Sequence, residues 1–288
     1  MSRSRSRREI GRGRRSARGR QTPLRLLTAA WASAALSLWL APAALAHVPI
    51  LEPSRPSDVV SFGSEPFPAA VPLGDPTRQS LAVYGYLRAG ERFDAYTFTV
   101  SQDATIPVEI LVPTVGGSSA FRPSFAVITD AEIGQQGLPQ AGTLPPDLER
   151  RLSGTARGRF DVLVVSDPGA AKRPTFFEPF SLERYYRGGK AEVPVRPGRS
   201  YFVVVFAPPS AAVDAGPYTL GLGTVESFTA ADWARSSWAI VRIKLGLYGG
   251  GPLSWYGVAQ LAAVAAAIAG LVLLVRRRRR HTRDAQAS

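Results

Sequence analysis

The sequence predicts a mainly β protein, an antiparallel β-sandwich that one C-terminal helix attaches to a membrane. Short runs of alternating apolar and polar residues, separated by Gly and Pro turns, recur between residues 81 and 223, as in half-buried antiparallel strands. No long amphipathic helix pattern lies among these runs. Residues 253–275 then carry no Asp, Glu, Lys, Arg or His and are followed by five arginines, the pattern of a membrane span with a cytoplasmic flank.

The predicted strands follow one another along the body of the chain. Residues 81–87 and 92–100 form a hairpin, and 105–113 alternates cleanly between apolar and polar positions. Residues 200–208 are apolar on both faces, which indicates a central strand. A short helix is predicted at 146–152. The remaining strands are predicted at 124–129, 160–167, 191–195 and 217–223.

The positive charge is confined to the two ends of the chain. The formal net charge is +13, of which residues 1–46 contribute +9 and residues 276–288 contribute +5, whereas residues 47–275 sum to −1. Basic ends are typical of the cytoplasmic flanks of membrane segments. We therefore expect no nucleic-acid partner, although the whole chain is strongly basic.

The N-terminal segment has the pattern of a signal peptide. Residues 1–25 are rich in Arg, Leu26–Leu40 is apolar, and Ala44-Leu45-Ala46 fits the small-x-small pattern of a cleavage site. Cleavage of 1–46 would leave His47 as the new N-terminus. An uncleaved segment would form a second span, and residues 47–250 would still lie outside the cytoplasm.

The predicted order of parts follows from these boundaries. A Pro-rich extracytoplasmic arm (47–79) precedes the sandwich (80–224) and a juxtamembrane amphipathic helix (225–251). A transmembrane helix (252–275) then leads to a basic cytoplasmic tail (276–288). The predicted location is the cell membrane, with a single span.

The juxtamembrane helix has two interpretations. Thr229 followed by Asp232 predicts its N-terminus, and the Trp and basic residues behind it predict contact with the membrane surface. The alternative is a helix packed on the sandwich. The residues predicted to lie at the membrane interface are Trp233, Trp238, Trp255, Arg276, Arg277 and Arg278. Within the span, Ala262, Ala266 and Gly270 recur every four residues and could bring two copies into a homodimer.

Three segments resemble a known family. AGERFDAYTFTV, and later RPGRSYFVVVFAP with GPYTLGLG, are similar to the bacterial pre-peptidase C-terminal domain over about residues 80–224. The resemblance implies a jelly-roll-like sandwich that acts as a binding or stabilising module and is not catalytic. The acidic strand of that family is not evident in this sequence, so its calcium and ligand sites are not carried over.

The composition excludes several kinds of enzyme. The chain has no Cys, and its two histidines are His47 and His281, so a thiol nucleophile is absent and a Ser-His-carboxylate triad has no imidazole in the body beyond its first residue. The sequence favours a non-catalytic binding or scaffolding module for a cell-envelope protein or glycan. A carboxylate-based hydrolase stays open, because acidic residues are plentiful.

Two candidate sites follow from residue chemistry. His47, as a mature N-terminus, could chelate copper through its amine and ring, which makes a copper-binding domain the alternative function. An aromatic segment at 176–186 either fills the core through Phe176, Phe177 and Phe180 or forms a platform for sugars or a partner protein. Glu178, Tyr185 and Tyr186 would make up that platform.

Overall fold

The computed structural model describes residues 47–52, 67, 69–90, 93–114, 118–130, 143–154, 160–169, 173–178, 181, 183–225, 227, 229–249 and 251–287. The predicted signal peptide, residues 53–66 and 68 of the Pro-rich arm, and Phe180 lie outside the described residues. The strands are β1 (Val48–Leu51), β2 (Val71–Pro72), β3 (Leu81–Leu87), β4 (Asp94–Phe98), β5 (Ala104–Pro113), β6 (Ser124–Thr129), β7 (Asp161–Val165), β8 (Thr175–Glu178), β9 (Glu183–Val195), β10 (Tyr201–Phe206) and β11 (Gly216–Leu222). The helices are α1 (Pro146–Gly154), α2 (Ala230–Leu245) and α3 (Trp255–Ala287).

The strands form two sheets, as the sequence predicts. Sheet A has the order β1-β3-β11-β5-β9-β8, and sheet B has the order β2-β4-β10-β6-β7. Every pair is antiparallel except β1 with β3 and β2 with β4. Most consecutive strands cross from one sheet to the other, which is the arrangement of a jelly roll. The predicted fold class, an antiparallel jelly-roll-like β-sandwich, is confirmed.

Alternating strands place the core between the sheets. In β5, Ile106, Val108, Ile110 and Val112 are buried, while Glu109 points outward, as predicted. β10 is buried along its whole length because the outer face of sheet B is also covered. Leu148 and Leu152 of α1 pack there, which explains the apolar character of both faces of this strand.

Two adjacent glycines form a β-bulge in β9 and change which face of sheet A its side chains occupy. Its register with β5 shifts between Glu109 and Leu111, where β9 contributes one additional residue at Gly188 and Gly189. A Cβ on either glycine would lie within 3 Å of neighbouring atoms, so side chains are excluded there. Because an extra residue reverses the alternation, the residues before the bulge exchange faces relative to those after it.

Helix α2 packs on the outer face of sheet A. Its N-terminus forms the predicted capping box between Thr229 and Asp232, and Ala239 and Ile243 pack against β3 and β9. The alternative interpretation, a helix packed on the sandwich, is therefore correct for the inner face of α2. Trp238 on its other face is 66% exposed, while the side chain of Trp233 lies outside the described residues. Contact of α2 with the membrane stays a prediction.

The capping box predicts a pH dependence. Hydrogen bonds from the Thr229 hydroxyl and backbone N–H lower the pKa of Asp232 from 3.8 to about 2. Since the folded state then binds fewer protons than the unfolded state, this contribution to stability is present above pH 4 and is lost as the pH falls through about 2. Thermal unfolding of wild type and Asp232→Asn should differ at pH 5 and converge near pH 2. A difference that stays constant over this range would contradict the assignment.

Helix α3 could cross a membrane. Its segment Trp255–Arg277 is apolar and 23 residues long, and none of its most apolar stretch is buried within the protein. Ser254 caps the helix, its Oγ accepting the N–H of Gly257 at 3.2 Å, so the helix begins two residues after the predicted span. Trp255, Arg276 and Arg277 are exposed, as are Ala262, Ala266 and Gly270, and the homodimer stays a prediction.

Candidate functional site

A cleft of about 250 Å³ lies on the outer face of sheet A, beside α2. We call it the trough. Five strands of sheet A line it, namely β3, β5, β8, β9 and β11, together with the residues that precede β1 and β3 and the two that follow Leu222. Ala82, Tyr84, Leu111 and Tyr185 line the trough and also belong to the apolar cluster under α2, so the helix covers one part of this face and leaves the trough beside it. Three predicted site residues meet here: His47, Glu178 and Tyr185.

Small residues on neighbouring strands make the depression. Gly221 of β11 stands in register with Ala82 of β3 and Glu109 of β5. A Cβ on Gly221 would have its nearest neighbour, the Glu109 carbonyl oxygen, at 3.7 Å, and the His47 Nε2 atom at 3.8 Å. The space above Gly221 is therefore open, with the imidazole of His47 at its margin. A glycine inside a strand pattern is the sequence signal that could have indicated this feature.

Two hydroxyls of the trough have no partner among the described residues. Ser80 Oγ and Thr219 Oγ1 are buried and make no hydrogen bond within this part of the chain, although both residues line the trough. Buried hydroxyl groups are nearly always hydrogen-bonded, and an unsatisfied one costs about 1–3 kcal/mol. These two groups thus have unused capacity to donate and accept hydrogen bonds.

The charged groups around the trough are engaged with one another. Arg187 Nη1 donates to both carboxylate oxygens of Glu109, at 2.6 and 2.9 Å, and its guanidinium lies 4.7 Å from the centre of the Phe176 ring. Lys190 pairs with Glu192 at 3.0 Å. The Glu178 carboxylate accepts the Ser181 N–H at 2.5 Å. The trough therefore offers apolar walls and paired charges.

The aromatic platform predicted from sequence needs correction. Tyr185 is fully buried, and its hydroxyl lies 3.2 Å from Ser181 Oγ and 3.3 Å from Glu183 Oε2. Burial raises the pKa of Tyr185 well above its usual value. Tyr186 points to the opposite face, where the Arg173 guanidinium covers its ring at 4.7 Å. The two tyrosines cannot form one surface because they are adjacent in a strand.

The alternative interpretation of the same segment also needs correction. Phe177 is 48% exposed and Phe176 is half-buried, since β8 is a four-residue strand at the edge of sheet A. Phe176 and Phe177, which were predicted to fill the core, therefore lie at its margin. Tyr186, which was assigned to the platform, packs against the core.

His47 is fixed at the end of the trough. The adjacent Val48 N–H donates to the Ser80 carbonyl at 2.9 Å, where β1 joins the edge of sheet A. Copper bound by an N-terminal histidine needs further donors. In the part of the chain that the structure describes, no group of three His, Cys, Asp or Glu side chains is arranged to hold a metal ion.

A second polar cluster was not predicted from sequence. Tyr218 donates to Asp94 Oδ2 at 2.6 Å, the Tyr96 and Tyr218 hydroxyls are 2.5 Å apart, and Tyr96 donates to Glu52 Oε1 at 3.0 Å. Burial raises the pKa of both tyrosines well above their usual value. The chain of bonds joins β1, β4 and β11 through the core. It is enclosed by the sheets and we assign it a structural role.

Comparison with known proteins gives no functional assignment. No protein-family model matches the chain, and no curated protein matches it. Similar solved structures include the pre-peptidase C-terminal domain of collagenase from Bacillus anthracis, with 17% identity, a TM-score of 0.27 and coverage of 53% of this chain and 93% of that domain. Another is PliG, a periplasmic inhibitor of g-type lysozyme from Aeromonas hydrophila, with 15% identity, a TM-score of 0.25 and coverage of 54% and 98%. The first is a domain of the type that residues 80–224 resemble.

Proposed function

We propose that this chain is a membrane-anchored extracytoplasmic binding module and that the trough is its ligand site. The trough carries the proposal because it is a formed depression that contains two buried hydroxyls without partners. Ligand sites combine mostly apolar walls with a few placed polar groups. The module is proposed to bind without catalysis.

The arrangement of charge supports the proposed topology. The apolar segment of α3 is followed directly by the arginine block, and cytoplasmic flanks carry such excess positive charge. The tail 276–288 then lies in the cytoplasm and the sandwich lies outside. The absence of Cys from the sequence means that an exported sandwich must be stabilised by its core, without disulfides.

The chemistry of the trough favours a small uncharged ligand. Arg187 pairs with Glu109 and Lys190 pairs with Glu192, and the Glu178 carboxylate accepts the Ser181 N–H, so these charged groups are already engaged. The half-buried Phe176 ring offers an apolar wall, and the hydroxyls of Ser80 and Thr219 offer hydrogen bonds. At about 250 Å³ the site is smaller than the roughly 300–1,000 Å³ of drug-sized sites. One sugar ring of a cell-envelope glycan combines these properties.

Replacement of a ligand-binding hydroxyl should stabilise the unliganded protein. We expect Thr219→Val to raise the free energy of unfolding by about 1 kcal/mol, because it removes an unsatisfied buried group. Thr97→Val is the matched control, since Thr97 Oγ1 donates to the Tyr201 carbonyl at 3.1 Å and its loss should cost about 1 kcal/mol. Chemical unfolding in detergent measures both. If Thr219→Val lowered the free energy of unfolding as much as Thr97→Val, the Thr219 hydroxyl would have a hydrogen-bond partner, which would contradict this prediction.

An array of oligosaccharides tests the binding function. The full chain in detergent is applied to arrayed neutral and acidic sugars, and we expect retention on neutral sugars that Gly221→Leu abolishes. Gly221→Ala is the control, because its methyl group fits at ordinary contact distances. Retention that is equal in both variants, or absent for wild type on every sugar, would contradict the proposal.

The two other functions inferred from sequence stay predictions. Copper binding through His47 is tested by titrating wild type and His47→Ala with Cu(II), where equal affinities would remove it. A carboxylate-based hydrolase would show turnover that a single Asp or Glu replacement abolishes. Glu109 and Glu178 both line the trough and are the first acids to replace.

A further inference from the structure

The junction between α2 and α3 is compact. Helix α2 ends at Gly246, whose φ is +71°, and the N–H of Leu247 returns to the Arg242 carbonyl at 2.8 Å, as in a Schellman motif. The N–H of Ser254 then donates to the Leu245 carbonyl at 2.9 Å. These bonds bring the ends of the two helices together, and we call the described residues between them (246–249 and 251–254) the junction turn.

The two helices touch where they meet. Gly257 is buried, and a Cβ on it would overlap the carbonyl group of Lys244. Gln260 and Leu261, one turn further along α3, are partly covered. The last turn of α2 thus lies beside the first turn of α3.

The junction turn is also fastened to the sandwich. Gly249 donates its N–H to the Glu52 carbonyl at 3.1 Å, and its own carbonyl accepts Arg88 Nε at 3.1 Å. Tyr248 is buried, with its ring 6.1 Å from that of Tyr84. Gly249 and the residues on either side of the span's start that the structure describes are therefore held against the sandwich and do not act as a loose tether.

The length of the span fixes the depth of the junction. A hydrocarbon layer of about 30 Å requires about 20 helical residues. If the arginine block at Arg276 marks its inner edge, 20 residues counted back from Val275 begin at Tyr256. Gly257 then lies at the outer edge of the hydrocarbon. Because Lys244 touches Gly257, the end of α2 lies at the same level.

The side chains at that level suit a lipid interface. Leu247, Leu253, Trp255 and Tyr256 are large, apolar and between 43% and 75% exposed. They are continuous with the exposed apolar surface of α3. Trp and Tyr are enriched where membranes meet water, and exposed apolar groups beside a span are covered when lipid headgroups surround them.

We propose that the sandwich is seated directly on the outer leaflet, with the junction turn and the end of α2 inside the phospholipid headgroup layer. This inference rests on the proposed topology of α3 and is independent of the ligand of the trough. It places the ends of β1 and β3 near Glu52 and Tyr86 toward the lipid. His47 and Ser80 stand at the opposite ends of these strands, so that end of the trough is directed away from the bilayer.

Spin labels measure the depth of the junction. The sequence contains no Cys, so Leu247→Cys and Leu253→Cys give single sites for a nitroxide in the full chain, reconstituted in phosphatidylcholine and phosphatidylglycerol vesicles. Gln102→Cys, at an exposed turn between β4 and β5, is the aqueous control, and Val264→Cys reports the span itself. Relaxation by oxygen and by a water-soluble nickel complex gives the depth of each label.

We expect labels at 247 and 253 to lie within the headgroup layer, roughly 5–8 Å thick, and the label at 264 to lie in the hydrocarbon. The label at 102 should relax as it does in water. Suppose that the label at 264 lies in the hydrocarbon but the labels at 247 and 253 are as accessible to nickel as the label at 102. That result would overturn the placement of the junction turn in the headgroup layer and leave the proposed topology standing. A label at 264 that is accessible to nickel would overturn both the proposed topology and the placement of the junction turn in the headgroup layer.

Discussion

Replacing Lys244 by Met is expected to lower the free energy of unfolding by about 3–5 kcal/mol, because it leaves the carboxylate of Glu183 buried without its cation. The two side chains are 7% and 10% exposed and their charged atoms are 3.1 Å apart. They join α2 to β9 across the outer face of sheet A. For a domain of this size, such a loss lowers the melting temperature by on the order of 10 °C.

A surface pair on the same helix is the matched control. Arg235 pairs with Asp232 at 2.7 Å, but its side chain is 77% exposed, so Arg235→Met should cost no more than about 1 kcal/mol. Thermal unfolding in detergent compares the two variants. Equal effects would show that Lys244 and Glu183 do not hold α2 on the sheet. The double variant Lys244→Met/Glu183→Leu should recover much of the loss, since both charges are then removed.

The second large effect that we expect is a loss of ligand binding when the trough is filled. Gly221→Leu places an apolar side chain in the open space above β11 and should weaken ligand binding by at least about 100-fold, or roughly 2.7 kcal/mol. A Cβ at this position meets only ordinary contacts, so the backbone accepts a side chain here, and the unfolding curve of Gly221→Leu measures whether the fold tolerates the rest of the leucine. Replacing a glycine within a strand also removes an entropic cost of about 0.5–1 kcal/mol.

Adding a side chain to a glycine of the neighbouring strand β3 should instead destabilise the fold. A Cβ on Gly85 would lie 2.8 Å from the Cε2 atom of Tyr218 and closer still to the rest of its phenol. Gly85→Ala should therefore displace this ring, disturb its bond to Asp94 and destabilise the fold by several kcal/mol. Unfolding curves of Gly221→Ala and Gly85→Ala distinguish an open position from a filled one. Similar stability of the two variants would contradict this difference.

Local patterns predicted the fold class and most of the strands but not how the strands pair. The predicted hairpin of residues 81–87 with 92–100 is wrong, because β3 lies in sheet A and β4 lies in sheet B. Alternation predicted β5 and the burial of its apolar positions, and the run at 200–208 predicted the central strand β10. The Thr229–Asp232 spacing predicted the start of α2, and the uncharged run before Arg276 predicted the apolar helix. These features depend on residues close together in sequence, where periodicity and capping act directly.

The site depended on contacts that local patterns do not contain. The trough arises where small residues of β3 and β11 become neighbours, although about 140 residues separate Ala82 from Gly221 in the sequence. The predicted platform was wrong because Tyr185 and Tyr186 are adjacent in β9 and lie on opposite faces, and the bulge at Gly188 and Gly189 decides that Tyr185 is the one on the outer face. The edge strand β8 left Phe177 exposed. His47 and Glu178 were brought to one cleft by the topology of sheet A.

The most direct test of the central claim is the affinity of the full chain in nanodiscs for the neutral oligosaccharide that the array retains best, measured by calorimetry for wild type, Thr219→Val and Gly221→Leu. We predict that Thr219→Val weakens binding by about 3- to 10-fold through the loss of one hydrogen bond, while its melting temperature rises. Gly221→Leu should abolish binding and remain folded. Equal affinity in all three proteins would contradict the assignment of the trough as the ligand site.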